Sequence, residues 1–188
     1  MQQATFAKKD KQDFSLPIDR VGGSSLLLGL LPTLPFIVVF WAGWGWRIAV
    51  NNFNPLLSNV GFFWLAMVGG IVVHEFLHGF TWAIAGPKSW QTVEFGIQWK
   101  TLTPYAHSTQ PMPAWAYRLG VAMPALLLGF APMLAGLAIA NGWLFLFGII
   151  FTIAAGGDFL VLWLLRQVDG HQLVADHPQN VGCLVYID

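Results

Sequence analysis

The chain has 188 residues, 56% hydrophobic and only 10% charged, with ten tryptophans and a formal net charge of zero. An ordinary soluble domain carries about 25% charged residues, so the composition excludes a soluble globular protein. The balance of nine basic and nine acidic side chains excludes a basic nucleic-acid-binding surface. One domain is expected from this length. The single cysteine, Cys183, has no partner for an intrachain disulfide.

A bilayer core about 30 Å thick needs about 20 apolar residues in a helix. A polar tail, residues 1–23, precedes the first stretch that qualifies. No cleavable signal peptide is expected, because the first apolar run is long and lacks a small-x-small site at its end. That run, 24–46, carries Pro32 and Pro35, which predict a kink. The second is 61–85. Between it and the third, Val93, Phe95, Ile97 and Trp99 alternate with Thr92, Glu94, Gly96 and Gln98. Period two marks a half-buried strand, and a second strand through 102–106 would complete a hairpin. That hairpin either seals the bundle at the interface or offers an edge to an extended peptide. The third run, 114–140, contains Pro124 and Pro132, and the fourth, 143–165, follows a tight Asn141–Gly142 connection. Asp176 and Pro178 suggest a turn before a short final strand, "GCLVYI". The expected fold class is an all-α membrane protein with four transmembrane helices and a short cytoplasmic β-hairpin between helices 2 and 3. Its membrane domain spans 24–166, followed by a cytoplasmic tail, 167–188.

Orientation follows from the basic residues. With the N-terminus inside, Lys8, Lys9, Lys11, Arg20, Lys88, Lys100, Arg118 and Arg166 fall on the cytoplasmic side and only Arg47 on the other. Trp41, Trp44, Trp46, Trp64 and Trp143 form an outer belt; Trp82, Trp90, Trp99, Trp115 and Trp163 form an inner one. Both termini are therefore expected in the cytoplasm of an integral, multi-pass protein.

Within the second run lies "HEFLH", His74 to His78. The two histidines, four residues apart, project from one helical face. Glu75 sits about 100° round the helix, close enough to reach a metal-bound water. H-E-x-x-H on a helix supplies two zinc ligands and a general base. Ionisable side chains inside a span are costly unless employed. A catalytic zinc site needs a third protein ligand and an open fourth position. Asp158 is the other acidic residue inside an apolar run. Counted from the outer helix ends at 1.5 Å per residue, His74 and Asp158 lie about 20 and 22 Å down and His78 about 26 Å. Gly69, Gly70 and Gly79 on one helix, and Ala154 to Gly157 on the other, would let these spans approach. His107, just past the hairpin, is either a plain loop histidine or a candidate oxyanion contact or alternative ligand. Arg118 is a positive-inside anchor or a substrate contact.

The blocks "HEFLHGF", "AYRLGVAMPALLLGFAPML", "NGWLFLFGIIFTIAAGGDFLVLWLL" and "DHPQNVGCLVYID" resemble the small integral-membrane zincin peptidases, a family long known as a domain of unknown function. The resemblance covers roughly residues 60 to 188. It implies a zinc-dependent membrane peptidase with His74, Glu75 and His78 as its motif and Asp158, in "GGD", as third ligand. A looser similarity to site-2 proteases points the same way.

The residues themselves permit three functions. A metallopeptidase acting on a peptide or membrane-protein substrate uses Zn2+ and Glu75 as described. A di-iron enzyme needs two Glu-x-x-His motifs and further glutamates, and the chain has only Glu75 and Glu94. A non-catalytic metal-binding scaffold would normally close its zinc with four protein ligands, and would leave Glu75 without a task.

Overall fold

A computed structural model describes residues 10–45, 60–86, 90–99 and 103–187. Lys8, Lys9, Trp46, Arg47, Lys88, Lys100 and the expected strand start at 102 lie outside these residues. In chain order the elements are β1 (Lys11–Leu16), α1 (Ile18–Gly45), α2 (Val60–Ala85), β2 (Val93–Gln98), β3 (Thr103–Ser108), β4 (Met112–Pro113), α3 (Ala114–Ala138), α4 (Gly142–Ala154), α5 (Gly156–Leu164), β5 (Leu173–Asp176) and β6 (Val181–Tyr186). The fold is mostly helical, with two small antiparallel sheets.

Three helices, α1, α2 and α3, are long and apolar enough to cross a membrane, and α4 with α5 would make a fourth span only as a bent pair. The prolines act locally. Near Pro32 the helix tightens into one 3₁₀ turn, Leu31–Thr33, where the Thr33 hydroxyl donates to the Leu30 carbonyl. After Pro124, which has no N–H to give, α3 widens into a π-type turn over Ala125–Phe130 and then resumes. The connection before α4 is as tight as expected: Ala140 takes a positive φ of 56°, and Asn141 caps α4 by accepting from the Leu144 amide at 3.0 Å.

Three features depart from the sequence reading. The fourth run is not one continuous helix: it breaks at Ala155, and α5 leaves α4 at 45°. The reason is close packing, since Gly156 lies against the Ser25 backbone of α1, where a Cβ could not fit. The small residues also serve other contacts than expected. Gly79 lies under Val93 and Phe95 of the hairpin, and only Gly70 accepts a side chain of the fourth run, Phe151. Finally, the all-α class omits a four-stranded sheet of order β1-β6-β5-β4, in which the N-terminal strand pairs with the C-terminal one, Lys11 opposite Tyr186. The expected final strand is β6. The expected hairpin is β2–β3, paired from Val93–Ser108 to Gln98–Thr103.

The main core lies where α2, α3 and α5 meet this sheet, with Trp82, Tyr117, Val121, Val161, Val174 and Cys183 buried together. A second cluster of Phe40, Met133 and Phe145 joins α1, α3 and α4 near their other ends.

Candidate metal centre

His74 and His78 stand one turn apart on α2, their rings edge to face with centroids 4.9 Å apart. The bend at Ala155 turns α5 so that Asp158 sits in its first turn, where the helix dipole favours a carboxylate. The carboxylate straddles the histidines: Oδ2 lies 3.2 Å from His74 Nε2 and Oδ1 lies 3.4 Å from His78 Nε2. One ligand atom from each residue falls within 4.8 Å of the others.

The donor set fits a cation. His78 Nδ1 lies 2.9 Å from the Gly120 carbonyl, which can only accept. Nδ1 therefore carries the proton, and the lone pair of Nε2 faces Asp158, a carbonyl-oriented tautomer typical of metal-binding histidines. The Nε2 atoms of both imidazoles and the carboxylate oxygens then converge on one point. Asp158 Oδ2 is buried and has no hydrogen-bond donor among the described residues despite its closeness to His74. Such an arrangement is stable around a positive charge, and two histidines with a carboxylate suit zinc. Gly120 makes the support possible: the Trp82 indole occupies the space a Cβ would take there. The same indole stacks on His78 and on Tyr117, and donates to the Tyr117 carbonyl at 3.1 Å.

Glu75 points to the side of this centre. Its Oε2 accepts from the Ala106 amide of β3 at 2.8 Å. Ala106 and Ser108 direct their amides away from β2, so Glu75 and Asp176 occupy donors on the outer edge of the hairpin. A cleft of about 850 Å³ opens between that edge and the β5–β6 turn, with the three candidate ligands, Glu75, Trp82 and Tyr117 among its lining.

His107 lines the cleft; Arg118 does not. The Arg118 guanidinium donates to the carbonyls of Leu165 and Val168, closing the end of α5. His107 Nδ1 lies 3.1 Å from Asp176 Oδ2. That hydrogen bond outweighs burial and raises the imidazole pKa above its ordinary value, with the charges of Asp176 and Glu94 adding to it. Asp176 is the residue that sequence reasoning undervalued as a turn former. Its Oδ1 accepts from the Tyr117 hydroxyl and its Oδ2 from the Ser108 amide at 2.7 Å. The available signal was a carboxylate just before the final strand, but its partners stand 59 and 68 positions away.

A family profile described as "Putative zincin peptidase" matches residues 67–173, more than half of the chain. No curated protein and no solved structure matches it. The matched stretch runs from α2 to the start of β5 and contains His74, Glu75, His78 and Asp158. A zincin peptidase is by description a zinc enzyme, which agrees with the donor set of this centre. The chain therefore belongs to the putative zincin peptidase family.

Proposed function

We propose that the chain is a membrane-embedded zinc metallopeptidase that hydrolyses peptide bonds of membrane-associated substrates near the cytoplasmic side. The observation that carries this reading is the convergence of His74, His78 and Asp158 beside Glu75 at the base of one cleft. The protein spans the bilayer four times, with α4 and α5 together as the bent fourth span, and both termini are cytoplasmic. The distribution of lysine and arginine supports that orientation.

His74, His78 and Asp158 would hold the zinc, which when bound would supply Lewis acidity to water and to a carbonyl oxygen. The remaining work falls to the chain's own groups. Glu75 takes a proton from the attacking water as the water oxygen bonds to the carbonyl carbon. It returns that proton to the nitrogen as the C–N bond breaks, so that acid and amine are the products. The Ala106 amide holds the Glu75 carboxylate in place for both transfers. Gly120 keeps His78 in the tautomer that presents Nε2. A closed helix shields its carbonyls, so the substrate must reach the cleft extended, beside the outer edge of β3.

Glu75→Gln tests this reading. The amide keeps size and hydrogen-bonding capacity but takes no proton at neutral pH. Zinc content is expected to stay at the parent's level, while cleavage of a single-span peptide with a Gly or Pro break near its cytoplasmic end falls about 10²–10⁴-fold. Loss of zinc would make Glu75 a ligand. Zinc retained without any cleavage by the parent would favour the scaffold.

A further inference from the structure

The polar cluster around Asp176 faces the same cleft as the metal centre, and the mechanism above gives it no part. Asp176 closes β5 with its side chain 11% exposed, and two neighbouring elements hold it: α3 through the Tyr117 hydroxyl and β3 through the Ser108 amide. Tyr117 is itself fixed by the Trp82 indole that stacks on His78. The carboxylate is thus built into the same framework as a metal ligand.

An ionised carboxylate only accepts hydrogen bonds. His107 must therefore present Nδ1–H to Asp176, leaving Nε2 as the ring atom without a partner among the described residues. The other cationic candidates around the cleft are engaged. His177 Nδ1 accepts from the amides of Gln179 and Asn180, and its Nε2 is turned toward Asp13 at 3.8 Å. Arg118 is held by carbonyls outside the cleft. No lysine or arginine occurs among the described residues that line it. His107 also follows directly on Ala106, whose amide holds the Glu75 carboxylate of α2, so β3 bears the imidazole next to the residue that fixes the general base.

We infer that His107 is a catalytic residue that donates a hydrogen bond from Nε2 to the oxygen of the scissile carbonyl, and that Asp176 is its positioning residue. The inference rests on the peptidase reading. As the water oxygen bonds to carbon, the carbonyl π pair moves onto oxygen, and the imidazolium hydrogen bond strengthens with the growing charge. The proton stays on His107; Glu75 alone carries the proton from water to the leaving nitrogen. The groups facing His107 are Asp176 of β5 and Glu94 across the hairpin, both favouring the cationic ring.

The test compares the full-length parent with Glu75→Gln, His107→Gln and Asp176→Asn, each in detergent micelles with a single-span peptide substrate. His107→Gln leaves Asp176 and its Tyr117 bond in place, so folding is preserved if Asp176→Asn proves unstable. It should keep the parent's zinc content and KM while kcat falls about 10²–10³-fold, the worth of one donor to a developing oxyanion. Asp176→Asn still accepts from Tyr117 but removes the charge. Its alkaline limb of kcat should move to lower pH, and the NMR titration midpoint of His107 in zinc-free protein should move down with it. Glu75-dependent cleavage that His107→Gln leaves unchanged overturns this inference alone. So does a His107 midpoint that Asp176→Asn does not shift. A parent without Glu75-dependent cleavage overturns the peptidase reading, and this inference with it.

Discussion

At the end of the bundle that holds His74, His78 and Asp158, buried polar groups are tied across elements; at the other end the helices meet through rings and methyl groups. His78 is bound to α3, Glu75 to β3, Asp176 to both, and Arg118 to the chain after α5. Opposite, Phe40 and Phe145 stack with centroids 4.2 Å apart over a fully buried Met133. Among the described residues the polar bonds there are few, such as Trp44 Nε1 to the Leu137 carbonyl and the Asn141 cap. Dispersion and area burial tolerate a change of shape with a graded loss. A network of buried donors and acceptors does not, because each removed partner strands another. Chemistry should therefore be confined to one end and stability shared by both.

The largest expected effect comes from removing a ligand. Asp158→Ala should retain less than about a tenth of the parent's zinc after dialysis, since even supporting residues around a metal are worth about 10–100-fold in affinity. Met133→Ala at the opposite end should cost about 2–5 kcal/mol of stability and leave zinc affinity unchanged. Elemental analysis and denaturant melts on the two variants separate these outcomes. Zinc loss in Met133→Ala would break the comparison by showing that the two ends form one cooperative unit.

The second effect is categorical and concerns which side each end faces. Reporter fusions after Arg166 and within 51–59 should give opposite sidedness, with the site end on the cytoplasmic side. The same sidedness for both would remove the four-span reading and leave the cleft without a cytoplasmic entrance.

What could be read from the sequence divides along the same line. The zinc motif is local: five residues on one helix fix the geometry of His74, Glu75 and His78. Asp158 was reachable by counting helical rise, because the second and fourth runs are counted in the same direction and the bend lies only three residues from Asp158. The bend itself was not legible. Ala154 to Gly157 read as apolar helix, and the break depends on the backbone of Ser25, which lies about 130 positions earlier. The β1–β6 pairing was hidden for a related reason. "KQDFSL" shows little alternation, and its partner strand is at the far end of the chain. Asp176 was underestimated because its meaning lies in Tyr117, His107 and Ser108, which only the folded chain brings near.

The smallest expected effect probes whether the sheet at the site end opens independently of the metal centre. Cys183 lies in β6, paired with Phe14 of β1 on one side and Asp176 of β5 on the other, and it is fully buried. Burial, helped by the nearby Asp176 charge, pushes its thiol pKa up to about 12. Alkylation requires the thiolate. At pH 8 the thiolate fraction is then roughly 10⁻⁴, against about a fifth for a free cysteine. Maleimide labelling of the native protein should accordingly be about 10³-fold slower than in denaturing detergent, before any allowance for access. Gly182 stands beside it at φ 133°, where a Cβ would meet the backbone of Phe14 and Ser15. Gly182→Ala should strain the β1–β6 contact by about 1–3 kcal/mol, and so speed labelling by about 5–150-fold at the usual 1.4 kcal/mol per decade. Zinc content should not change, because none of the three ligands belongs to the sheet. If labelling accelerates and zinc is lost together, the sheet and the centre are one unit, and polar cross-ties at this end extend further than the contacts around Asp176.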